Sequence, residues 1–149
     1  MANMRRLVSV LSVAGLSLLL LTGCVPGGYS VDTLKQQPEA ALVYPGSTYV
    51  QTDDYNGSPG NMFGKGAYAV TSKSGTTTHT QSEVIAYYTE KLAANGWTVV
   101  MDNPGATTAA GFADHAVLWQ KAKLNLAYQV DAWTDRGTTK YSTQLSADG

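Results

Sequence analysis

Few side chains in this 149-residue chain could act as nucleophile, metal ligand or base. Cys24 is its single cysteine, so no disulfide can close within the chain and the thiol must serve another purpose. The two histidines, His79 and His115, would need an activated serine nearby to form a hydrolytic triad. Neither Gly-x-Ser-x-Gly nor Ser-x-x-Lys occurs, so no catalytic residue is assigned. Zinc takes three or four His, Cys or carboxylate ligands, more than two scattered histidines provide. Asp53-Asp54-Tyr55-Asn56-Gly57 offers oxygen ligands, but it lacks the alternating spacing and closing glutamate of a calcium loop and reads as a strand-ending turn. Gly60-Asn61-Met62-Phe63-Gly64-Lys65 is one residue too short between its glycines for a phosphate loop, and no Ser or Thr follows the lysine. No metal and no cofactor is therefore expected.

The surroundings of Cys24 say more. Arg5 and Arg6 precede an uncharged run, Leu7–Leu21. As a helix rising 1.5 Å per residue it would cover roughly 22 Å, short of a hydrocarbon core of about 30 Å. That length and charge pattern suit a cleavable export signal. The run ends in Leu21-Thr22-Gly23-Cys24. This tetrapeptide resembles the lipobox of bacterial lipoproteins: an aliphatic residue, two small residues, then cysteine. The resemblance implies cleavage after Gly23, a thioether-linked diacylglycerol on Cys24, and anchoring to the outer face of the cytoplasmic membrane. Val25 gives no aspartate retention signal, which would permit the outer membrane in a two-membrane cell. Two or three acyl chains make such an anchor effectively permanent.

Cleavage would remove Arg5 and Arg6, leaving eight basic against eleven acidic residues. A mature chain of that balance has no basic patch for nucleic acid. Residues 24–38, with Pro26, Gly27, Gly28 and Pro38, read as a flexible tether. Residues 39–149 are enough for a single domain.

Within that domain one helix is clear. Thr80-Gln81-Ser82-Glu83 fits a capping box. Ile85, Tyr88 and Leu92 then recur at helical spacing, and Gly96 stands where a left-handed residue would stop the helix. Period-two alternation marks strands at Ser47–Asp53, Gly66–Ser72, Trp97–Met101, Ala116–Lys121, Leu124–Trp133 and from Thr139 onward. Asn56–Gly60, Ser74–Thr78 and Asn103–Ala113 read as loops. The expected fold is α+β: one amphipathic helix, about 81–95, on a mainly antiparallel sheet of five to six strands in the order β-β-α-β-β-β-β.

Tyr44-Pro45-Gly46-Ser47, the segment Val84–Leu92 with its Tyr87-Tyr88 pair, and Gly96-Trp97 together resemble a pattern in many small, uncharacterised exported bacterial proteins. The resemblance implies this fold and supplies no activity. Of the abundant aromatics, Tyr68, Tyr88, Trp97, Trp119 and Tyr128 are expected in the core. Trp133, on the other strand face near a turn, would form an exposed recognition patch with Tyr55, Met62 and Phe63. The reading is a non-enzymatic, lipid-anchored binding or accessory domain. Its partners would be the membrane, through the lipid, and another envelope protein, cell-wall component or small ligand. The alternatives are an envelope-acting hydrolase using His79 or His115, and a mobile-element-encoded lipoprotein that interferes with a surface receptor or channel.

Overall fold

The structure, a computed structural model, describes residues 29–58, 67–107 and 111–148. Six strands form one antiparallel sheet: β1 (Thr48–Ser58), β2 (Ala67–Thr77), β3 (Thr98–Thr107), β4 (Ala113–Lys121), β5 (Leu126–Asp135) and β6 (Thr138–Asp148). Their spatial order is β1-β2-β6-β5-β4-β3, so β1 and β3 are the two edges. Two helices, α1 (Val31–Lys35) and α2 (Gln81–Ala94), pack on one face. This is the expected α+β arrangement, with six strands and one principal helix.

α2 begins and ends as its sequence dictates. Thr80 Oγ1 accepts from the Glu83 amide and a Glu83 carboxylate oxygen accepts from the Thr80 amide at 2.8 Å, closing the capping box. Donation from the Thr80 amide, and then from its hydroxyl, holds the Glu83 carboxyl well down, at about 2. At the other end Trp97 N donates to Leu92 O and Gly96 N to Ala93 O, with Gly96 at φ +78°. That Schellman closure requires the left-handed residue that glycine supplies without strain. Val84, Ile85, Tyr88 and Leu92 are buried against Val117, Trp119, Tyr128, Val130 and Leu145 of the sheet. Of the expected core aromatics, Tyr88, Trp97, Trp119 and Tyr128 are buried, while the side chain of Tyr68 lies outside the described residues.

The Tyr44-Pro45-Gly46-Ser47 turn has a packing role. Pro45 and Gly46, the latter at φ +75°, reverse the chain, and Ser47 N and Oγ both donate to Tyr44 O. Tyr44 is thereby set edge-on to Tyr87, Tyr141 and His79.

The reading of residues 24–38 as tether is corrected from residue 31 onward. Ser30 caps α1, Leu34 is completely buried and Val31 nearly so. A five-residue helix is far too short to persist alone, so tertiary burial maintains it. The Val31 amide donates to Asn56 Oδ1, and Lys35 pairs with Asp54. Further on, Glu39 is 1% exposed, accepting from Trp97 Nε1 at 2.8 Å and from Lys121 Nζ at 3.4 Å. The folded body thus starts before Glu39. Residues 24–28 lie outside the described residues.

Three expected loops are partly strand. β1 runs to Ser58, β2 to Thr77 and β3 to Thr107. β3 accommodates Pro104 and Gly105 because it is an edge, where a bulge between Asn103 and Ala106 interrupts the pairing. The strand expected from Leu124 begins instead at Leu126. Ala122–Leu124 forms a 3-10 turn and Asn125 is left-handed, which leaves Leu124 exposed.

Candidate functional site

Alternation along the paired strands assigns every side chain to a face. The helix side takes Thr71, Tyr141, Leu145, Tyr128, Val130, Trp119 and Val117. The opposite face carries no described helix. Its register rows read Ser74, Ser142, Asp131, Ala116 and Asn103, then Ser72, Gln144, Gln129, Leu118 and Met101. A row toward the β5–β6 turn holds Thr76, Lys140, Trp133 and Asp114. Polar side chains outnumber apolar ones, and at its centre Asp114, Ala116, Leu118 and Gln129 are buried.

Two carboxylates define its centre. Asp131 pairs across β4 with Ala116 and Asp114 pairs with Trp133, so the two acids are diagonal neighbours on one face. Gln129 Nε2 donates to Asp131 Oδ2 at 2.8 Å. Burial pushes the Asp131 carboxyl up to about 6, the Gln129 bond opposing and the Asp114 charge reinforcing the rise. Asp114 is raised as well, chiefly by burial, against amide bonds from His115 and Ala132. Its Oδ1 is buried without a hydrogen-bond partner. A buried acceptor in that state costs free energy until a donor reaches it.

Trp133 borders a shallow cavity of about 210 Å³ shared with Tyr49, Gln51, Ser74, Thr76 and Lys140. Tyr49 reaches it through a bulge in β1 between Thr48 and Gln51, where its own φ is +54° and its side chain is 86% exposed. Tyr55 is exposed on the same sheet face, but in the row of Val70, Ser146 and Ala127. That row is six residues along β5 from Trp133, about 20 Å at roughly 3.3 Å per residue. The structure therefore does not bring Tyr55 and Trp133 together. Met62 and Phe63 lie outside the described residues. Tyr49, Gln129, Asp131 and Asp114 were missed as site residues. The polar alternates of β5 were a visible signal for Gln129 and Asp131, whereas nothing local marked the bulge that turns Tyr49.

The histidines lie elsewhere. His79 Nδ1 is 3.3 Å from Glu83 Oε1 at the start of α2. His115 Nε2 is 2.7 Å from Asp102 Oδ1, on the face opposite Asp114. Neither lines a described cavity, and each meets a single carboxylate. Among the described residues no group of three or more His, Cys, Asp or Glu could hold a metal, and no helix is long and apolar enough to cross a membrane. Asp53 and Asp54 point to opposite faces of β1, and Asp54 is occupied by Lys35 and by Thr71 Oγ1 at 2.7 Å. Cys24 lies outside the described residues.

A second cavity, about 740 Å³, opens at the far end of the sheet, where Asn95, Thr98, Val100, Lys121, Lys123 and Leu124 surround it.

No family model and no curated protein matches the chain. A solved structure of a Pseudomonas aeruginosa protein of unknown function, PA94, is similar at a TM-score of 0.46 with 10% identity, covering 70% of this chain and 72% of that one. A likeness of that size carries no argument about activity.

Proposed function

We propose that this chain is a lipid-anchored extracytoplasmic binding protein that offers the helix-free face of its sheet to a donor-bearing envelope ligand. The anchor is read from Leu21-Thr22-Gly23-Cys24. One observation carries the binding site: on the helix-free sheet face, Asp114 keeps a buried carboxylate oxygen without a partner beside Asp131. Burial raises both carboxyls, and an arriving N–H or O–H donor would stabilise their ionised form through a charge-assisted hydrogen bond. Trp133, next to Asp114, would give an apolar surface for the rest of the ligand. A ligand needing one or two hydrogen bonds to acids and a ring or methyl surface suits this geometry. A hydroxyl- or amide-rich cell-wall fragment has that character.

The test uses the full lipoprotein purified from membranes. Its retention on isolated cell-wall and membrane fractions is compared with the Asp114→Asn/Asp131→Asn double variant and with Trp133→Ala. Loss of retention in the double variant, with an unchanged fold, supports the reading. Equal retention of all three proteins removes it. Fatty-acid labelling and intact-mass measurement of Cys24 test the anchor separately.

A further inference from the structure

The docking of α1 changes how far the domain can stand from its anchor. The Val31 amide is bonded to Asn56, and Asn56, Ala69, Ala147, Leu126 and Lys121 form one register row across β1, β2, β6, β5 and β4. The chain therefore leaves toward Cys24 from this end of the sheet. Only five residue steps separate Cys24 from Tyr29, the first described residue. Fully extended, they span at most about 18 Å. The β5–β6 turn lies at the opposite end of strands about 36 Å long, beyond that reach.

The same near end carries the larger cavity. Its walls combine Lys121 and Lys123 with the exposed side chains of Val100 and Leu124. Lys121 is committed to Glu39 and lies 5.5 Å from the centre of the Trp97 ring. Lys123 has no ion-pair partner among the described residues. Asn56 and Lys121 are four strand spacings apart, about 19 Å, so an anchor near the first can bring the second to the same surface.

We propose that this cavity is the membrane contact of the anchored domain, with Lys123 on the phosphate of an anionic phospholipid and Val100 and Leu124 against its apolar part. The proposal rests on the lipid-anchor reading. It sets the strands toward the bilayer and leaves the rows of Asp131 and Trp133 farther out, in reach of a ligand. One lysine near an anionic surface contributes about 1 kcal/mol, a fivefold effect.

The experiment uses the lipoprotein reconstituted in vesicles of phosphatidylcholine, with or without phosphatidylglycerol. Nitroxide labels are placed on Ala122→Cys and, at the far turn, on Thr138→Cys. With phosphatidylglycerol present, the Ala122→Cys label is expected to be shielded from an aqueous relaxation reagent and the Thr138→Cys label is not. Lys123→Gln should lower the ratio of docked to undocked domain, read from that shielding, about fivefold, as the single charge requires. Equal exposure of the two labels while mass spectrometry shows a lipidated Cys24 overturns the contact alone. An unmodified Cys24 overturns the anchor and this contact with it.

Discussion

Asp131→Asn removes a charge that the fold holds at a cost. The Asp131 carboxyl sits at about 6, against 3.8 for the free side chain. A difference of just over two units, at 1.36 kcal/mol each, gives an upper bound of about 3 kcal/mol. Asp131 retains some contact with water, which reduces the expected figure to about 1.5 kcal/mol. The sign follows from proton linkage. A carboxyl raised in the folded state binds more protons there than when unfolded. Its stabilising contribution is complete below pH 3.8 and is lost as pH rises through about 6. Asparagine is nearly isosteric, cannot ionise, and can still accept from Gln129 Nε2. Asp131→Asn should therefore unfold at higher urea than the wild type at pH 8, by about 1.5 kcal/mol, and show little or no gain at pH 4. Asp114 titrates alongside, so the two acids lose protons in coupled steps and the transition is broadened. Urea titrations followed by tryptophan fluorescence at the two pH values measure it. A difference that is the same at both, or a variant less stable at pH 8, would refute the claim that burial and Asp114 strain this carboxylate.

Leu34→Ala deletes a completely buried side chain of α1 and is expected to cost about 3 kcal/mol in denaturant unfolding, where a tether residue would cost nothing measurable. Lys121→Met leaves the buried Glu39 carboxylate with the Trp97 indole as its remaining donor, and should cost about 2–3 kcal/mol in the same assay. Gly75→Ala would place a methyl group 2.8 Å from Tyr141 Oη, which itself donates to Ser47 Oγ at 2.8 Å. Displacing that buried ring should lower stability by about 2 kcal/mol and change near-ultraviolet circular dichroism, while Gly46, with open space at its Cβ position, answers only to its backbone angle.

Local chemistry alone determined much of this chain. The Thr80–Glu83 box, the apolar stripe Ile85, Tyr88 and Leu92, and Gly96 fixed α2 at both ends, because each acts within one turn of its partners. Strand alternation located the strands, and short connections implied antiparallel neighbours, whereas the β2–β6 pairing that joins the sheet is a long-range contact. Tertiary contact decided the rest. α1 is a five-residue segment that its Ser30 cap cannot hold alone, and it exists because Val31 and Leu34 find the core. The bulge that exposes Tyr49 follows from pairing with β2, and Glu39 is buried because Trp97, fifty-eight positions away, supplies its donor. The sequence placed Asp131 on a strand and left Asp114 just ahead of one, without showing that they would be neighbours. That adjacency depends on the register between β4 and β5, which the 3-10 turn Ala122–Leu124 and left-handed Asn125 between them fix and which strand alternation does not reveal.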